Sequence, residues 1–230
     1  MKLFFFIIQL IVFIIIQGCG YVDLKNKNLI EPTFKSEKKM VMVQSVFEFI
    51  PSFNVFTTKY GVYLSPEDKK DGTLFKITKK ASLFEDIYII NDVKNSGKLY
   101  FSNGAPDSFG RQNFKIYNDI TDLAVISQKF KEDYESFKLS YKQTDYDLTV
   151  DIKGNVGNSI DSVVLTVASD VGVLFNIFKR QLYFRNNYDM IVNEDLNVFD
   201  DSLIVSISVF FDYILKENGI SYKDWISRRG

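Results

Sequence analysis

The chain is 230 residues long, 46% hydrophobic, 25% charged and 16% aromatic, which is enough material for one sizeable core. Its 28 Lys plus Arg nearly balance 29 Asp plus Glu, for a formal charge of -1, so no global basic field exists to hold nucleic acid. There is no histidine, and Cys19 is the one cysteine, which removes the usual general base at neutral pH, the commonest zinc ligands and any internal disulfide; no cofactor and no metal are expected.

Lys2 precedes an apolar run over residues 3–16, broken only by Gln9, and Gln17-Gly18-Cys19 follows it, giving the positive, hydrophobic and small-residue regions of a secretory signal. The run is short for a spanning helix, which needs roughly 20 apolar residues. Ile16-Gln17-Gly18-Cys19 resembles the lipobox of bacterial lipoproteins, in which a peptidase cuts before the cysteine and the thiol takes up diacylglycerol. Ile16 stands where Leu is commoner, and Gln17 where a small residue is usual. A free thiol in an exported protein would be reactive, and acylation consumes it. The expectation is therefore a signal peptide over 1–18, lipidation at Cys19, and a domain exported to the cell envelope and held to an inner or outer membrane, each buried methylene contributing about 0.8 kcal/mol. The alternative, an uncleaved N-terminal anchor with Cys19 as a small buried apolar group, also tethers the domain. Residues 19–39 are polar and charged with little periodicity and read as a flexible tether.

From residue 40 the chain breaks into short aromatic and β-branched runs separated by Gly, Asn, Asp and Pro clusters, the signature of antiparallel strands joined by hairpins. Strands are expected over 40–49, 55–64, 74–79, 87–91, 99–102, 113–117, 123–130, 137–141, 146–152, 163–168, 173–178 and 188–192. Phe75-Lys76-Ile77-Thr78 and Phe114-Lys115-Ile116 alternate with period two, so one face is apolar and the other wet. Asp71-Gly72, Ser96-Gly97, Asn103-Gly104 and Asp170-Val171-Gly172 supply turns that tolerate positive φ. About twelve strands in one antiparallel layer would close on themselves.

Asp200-Asp201-Ser202 then introduces an apolar run over 203–215, followed by Lys216 and Gly219, which suits a capped helix over about 202–216. A helix that is apolar on every side must be surrounded. The β-branched Ile204, Val205, Ile207 and Val209 leave a strand open as the alternative. The fold class is thus mostly β, a closed antiparallel barrel of about twelve strands around a hydrophobic C-terminal helix, with the domain at 40–219 and a tail at 220–230.

This arrangement resembles the tubby C-terminal-like fold, and within it the LURP-one-related branch. The likeness is carried by Ser108-Phe109-Gly110-Arg111-Gln112-Asn113-Phe114-Lys115-Ile116-Tyr117, by residues 123–130 with Phe137, and by residues 146–213. In the last stretch Ile152-Lys153-Gly154-Asn155 is similar to the family's strand-end glycine, Val171-Gly172-Val173 to its hairpin glycine, Asn187-Tyr188 to its tyrosine before the final strand, and residues 201–212 to its terminal helix. The resemblance implies a barrel wrapped around a helix and an association with membrane lipids, but no residue-level match to a phosphoinositide site is present. The lipoprotein leader and the tail depart from the family pattern.

Lys179-Arg180 with Arg185, interleaved with Phe178, Tyr183 and Phe184, is the densest basic and aromatic cluster, suited to an anionic phospholipid headgroup; a solvated hairpin is the plainer reading. Arg228 and Arg229 beside Trp225 suit a membrane surface or simply a frayed end. Asn91-Asp92 with Asn95 and Gly97 lacks the alternating ligands and closing Glu of a calcium loop and reads as a turn. Glu194-Asp195 and Asp200-Asp201 are explained by the dipole of the helix that follows, and Gly154-Asn155-Val156-Gly157 lacks the Lys of a phosphate loop. No catalytic residues are expected. The favoured function is a non-catalytic, membrane-anchored binding module contacting phospholipid headgroups; the alternative is a surface or periplasmic lipoprotein acting through a protein partner, as an adhesin or envelope assembly factor.

Overall fold

The computed structural model describes residues 34–44, 59–64, 72–81, 86–130, 135–153, 162–182 and 185–217. Its strands are β1 (Glu37–Gln44), β2 (Lys59–Tyr63), β3 (Phe75–Ala81), β4 (Asp86–Asp92), β5 (Lys98–Asn103) and β6 (Asn113–Tyr117). β7 (Asp122–Gln128), β8 (Ser136–Tyr141), β9 (Thr144–Lys153), β10 (Ser162–Ser169), β11 (Gly172–Leu182) and β12 (Arg185–Asn193) follow, and then the helix α1 (Asp201–Glu217). Every strand pairs antiparallel with its neighbours in sequence, and β1 also pairs with β12, from Glu37 opposite Asn193 to Val43 opposite Asn187, closing the sheet into a barrel.

Side-chain alternation explains why the strands form and which way they face. Phe114 and Ile116 of β6, Ala124 and Ile126 of β7, Phe137 and Leu139 of β8, and Leu148 and Val150 of β9 are buried in one core, while Lys115, Lys138, Asp147 and Thr149 between them are exposed. The first strand begins at Glu37, inside the stretch expected to be tether, because Lys38 reaches the first turn of α1 in an ion pair with Asp201, and Met40 and Met42 point into the core. β11 carries one irregularity. Val167 pairs with Phe175 and Ala168 with Val173, so Leu174 is an extra residue, and Leu174 and Phe175 both enter the core.

The run at 203–215 is helical despite its β-branched residues. Asp200 caps it: its carboxylate accepts the Leu203 amide at 2.8 Å and the Ser202 hydroxyl at 2.6 Å, and its carbonyl accepts the Ile204 amide at 3.1 Å. The barrel wall then surrounds the helix with apolar groups on every side, where a thirteenth strand would leave its own edges unpaired. The Phe210 ring lies 5.0 Å from those of Phe114 and Phe137, and the Tyr213 ring 5.6 Å from Phe114 and 5.9 Å from Phe101. Below the cap, Phe199 plugs the interior against Tyr146 at 4.8 Å, Tyr141 at 5.5 Å and Phe175 at 5.8 Å. The hydroxyls of Ser206 and Ser208 donate back to the carbonyls of Ser202 and Ile204, so the helix carries these polar groups without exposing them.

Candidate functional site

Among the described residues one charged side chain is fully buried, Asp212 on α1. Tyr60 of β2 donates its hydroxyl to one carboxylate oxygen at 2.6 Å, and Tyr188 of β12 donates to the other. Burial first, and the Asp212 carboxylate second, push the Tyr188 phenol well above its ordinary range. All three side chains are buried, and the two hydrogen bonds tie the helix to β12 and β2 on either side of β1. The sequence reading passed over Asp212. The signal available was a single acid in an otherwise apolar helix, which must find partners if that helix is enclosed.

Any contact with another molecule therefore falls on the outside and the two ends. The upper end, where α1 begins, carries the turns β2–β3, β4–β5, β6–β7, β8–β9 and β10–β11. Leu64, Val93, Ile120, Val171 and Val198 stand exposed there among Asp119, Asp170, Glu194, Asp195 and Asp200, with Lys35, Lys94, Lys98 and Lys142 among its exposed cations. Asp92 is the hinge of the β4–β5 turn: its carboxylate accepts the amides of Lys94 and Asn95 at 2.9 Å and the Asn95 side chain at 2.8 Å. Partial burial raises its pKa, but these hydrogen bonds outweigh that effect and hold it below the usual carboxylate value. Its oxygens are thus committed to a turn, and Ser96 beside it sits at φ 57°.

The lower end carries the connections β5–β6, β7–β8 and β11–β12. The β5–β6 loop is locked by Asp107, whose carboxylate accepts the amides of Phe109 and Arg111 at 2.8 and 2.9 Å and pairs with the Arg111 guanidinium at 2.7 Å. The Arg111 backbone hydrogen bond is the main reason that the Asp107 carboxyl lies below its ordinary range. The loop so fixed holds Phe109 out to solvent, 72% exposed, with the Arg111 guanidinium 5.2 Å from its ring centre. Phe130, 66% exposed, follows β7 at the same end.

The expected basic cluster is divided. In β11, Ile177 belongs to the core, and Lys179 shares its face, with Nζ 5.9 Å from the ring centre of the buried Tyr188 opposite it. Arg180 takes the alternate register position, opposite Asn187, and Arg185 lies two residues before Asn187, at the start of β12 and opposite Leu182. Arg180 and Arg185 are therefore diagonal neighbours near the lower end, roughly 7–8 Å apart along the backbone, while Lys179 is turned to the barrel interior. Cys19, Tyr183, Phe184, Trp225, Arg228 and Arg229 lie outside the described residues. Among the described residues no helix is long and apolar enough to cross a membrane, and no three acidic, Cys or His side chains converge as a metal site.

Comparison with protein-family models returned no match. Neither curated proteins nor solved structures gave one.

Proposed function

We propose that this chain is a membrane-anchored lipoprotein, acylated at Cys19, whose barrel is a non-catalytic binding module that sets its lower end against a phospholipid surface. The observation that carries the reading is the chemistry shared by that end: Phe109 and Phe130 project from it, and the register positions of Arg180 and Arg185 lie beside it. Aromatic side chains favour the bilayer interface, and cations near an anionic surface contribute about 1 kcal/mol each. The upper end, rimmed with carboxylates, would be repelled by the same surface. A helix-filled interior leaves no room for a carried ligand, which directs binding to the exterior, and the buried Asp212 cannot reach a substrate. Kinship with the LURP-one-related barrels belongs to this proposal, since a barrel closed around a helix is the architecture that membership requires.

The test is flotation of the chain from Gly20 onward, without its acyl group, with neutral and anionic vesicles at low and moderate salt. Salt-sensitive flotation confined to anionic vesicles is expected, and Arg180→Ala with Arg185→Ala should weaken it about thirtyfold, the equivalent of about 2 kcal/mol. Equal flotation with neutral vesicles, or no effect of the double substitution, would remove the headgroup contact from the account.

A further inference from the structure

The exposed large apolar side chains among the described residues lie at the two ends of the barrel and not on its wall. Phe109 and Phe130 are at the lower end and belong to the proposed bilayer contact. The other five are aliphatic, and all are at the upper end. They sit at or beside turns, where Gly, Asn, Asp and Ser serve the backbone and an aliphatic residue brings no local advantage.

Ile120 shows how firmly such a residue is held out. The Asn118 side chain accepts the amides of Ile120 and Thr121 at 2.9 and 2.8 Å, and the Asn118 amide donates to the Thr121 carbonyl at 3.0 Å, leaving Ile120 92% exposed. Val171, in the β10–β11 turn, is 75% exposed. Val198 is 55% exposed beside Asn197, whose side chain donates to the Phe199 carbonyl at 2.7 Å and accepts the Phe199 amide at 3.2 Å. Backbone strain gathers at the same end: among the described residues the positive-φ positions other than glycine are Ser96, Lys142 and Gln143, all in its turns.

The turn at Val171 and the connection that carries Val198 form one surface. A Cβ at Gly172 would lie 3.4 Å from the Leu196 side chain, and the Asn193 side chain donates to the Val173 carbonyl at 3.2 Å. The charged residues of these two segments, 169–172 and 194–200, are Asp170, Glu194, Asp195 and Asp200, all acidic and all exposed. Aliphatic tips bracketed by carboxylates are complementary to aliphatic groups bracketed by cations. A closed sheet of twelve strands, tilted about 40° and spaced about 4.8 Å apart, is about 24 Å across at its backbone. With side chains the end is about 30 Å across and offers about 700 Å², close to the roughly 800 Å² that one partner contributes to a standard protein interface.

We propose that the upper end docks a second protein, through a segment of that partner in which aliphatic side chains are flanked by lysine or arginine. The arc of Val171 and Val198 receives it, and because the turns are already fixed little chain entropy is lost on binding. The inference does not rest on the lipid-surface reading, which concerns the opposite end. Where both hold, the barrel stands between the bilayer and its partner.

Full-length protein in nanodiscs of neutral lipid tests this, with a fluorescent amphipathic peptide of leucine and lysine as the probe and empty nanodiscs as the blank. Saturable binding is expected, weakening about tenfold from low to moderate salt, while a peptide of the same pattern with glutamate in place of lysine stays unbound. Val171→Ser with Val198→Ser should weaken binding by about tenfold or more, as for contacts at the centre of an interface. That variant should melt within about 2 °C of the parent, because both side chains are exposed. Asp170→Asn with Asp195→Asn, which keeps both valines, should weaken binding about fivefold and flatten its salt dependence. No saturable binding, equal binding of the two peptides, or unchanged affinity in the valine variant would overturn the proposal. So would a valine variant that keeps the peptide but loses vesicle flotation, since this end would then belong to the membrane.

Discussion

Replacing Asp212 by Ala removes an acceptor from the least accessible part of the molecule. The carboxylate is fully buried and takes the hydroxyls of Tyr60 and Tyr188, so the substitution strands two phenol donors in an apolar interior. Each buried donor that loses its acceptor costs about 1–3 kcal/mol, and the smaller side chain leaves a void besides, so the expected loss is about 3–5 kcal/mol, as when one member of a buried network is removed. At about 2–4 °C per kcal/mol for a domain of this size, Tm falls by about 6–20 °C. Urea unfolding followed by near-ultraviolet ellipticity measures the loss, with the slope against urea unchanged if only stability has moved. Asp212→Leu combined with Tyr60→Phe and Tyr188→Phe should recover most of it, because replacing a whole polar network by apolar groups of like shape is close to neutral. A loss below about 1 kcal/mol for Asp212→Ala would refute the claim that this carboxylate fixes the helix in the barrel.

The Tyr188 phenol keeps its proton in the folded state above the pH where an unfolded tyrosine loses it, so its stabilisation is complete below about pH 10 and drains as pH rises toward the folded value, by at most about 1.4 kcal/mol per pH unit. Tyr188→Phe should flatten the alkaline limb of urea midpoints measured against pH, and an unchanged limb would contradict the assignment. Phe210→Ala should cost about 3–5 kcal/mol in the same unfolding assay, because its ring fills the space between Phe114 and Phe137. Gly172 sits at φ 140° at the start of β11, where a Cβ would lie 3.4 Å from the Leu196 side chain; Gly172→Ala should cost about 1–3 kcal/mol, read from thermal melts, with the sheet otherwise intact. Phe109→Ser with Phe130→Ser should weaken vesicle flotation while leaving Tm within a degree or two of the parent, since both rings are exposed.

The strands at β6, β8 and β9 were legible because each has one wet and one dry face, so Phe114-Lys115-Ile116 declares its own orientation. The helix was legible from Asp200 and from a length that no strand needs. The orientation of β11 was not. Phe175-Asn176-Ile177-Phe178-Lys179-Arg180 has apolar residues on both faces, because Phe178 is covered from outside, and the extra residue Leu174 shifts the parity of everything after it. Lys179 therefore reads in the sequence as a partner of Arg180 and Arg185, while in the fold it faces the other way. Phe109 falls in the stretch that resembles the family and Phe130 at the end of an expected strand; neither carries a local mark that separates it from the core phenylalanines, and only the loop geometry set by Asp107 turns Phe109 outward.

The central claim is that Cys19 is the point of membrane attachment. The most direct test is labelling of the full-length protein and its Cys19→Ala variant with a radioactive fatty acid in a bacterial host, followed by carbonate washing of the membrane fraction. The account predicts label and tight membrane association for the parent chain, and loss of the label with retention of an uncleaved leader for the variant. Label that survives Cys19→Ala, or an unlabelled parent whose N-terminal peptide begins at Met1, would contradict it.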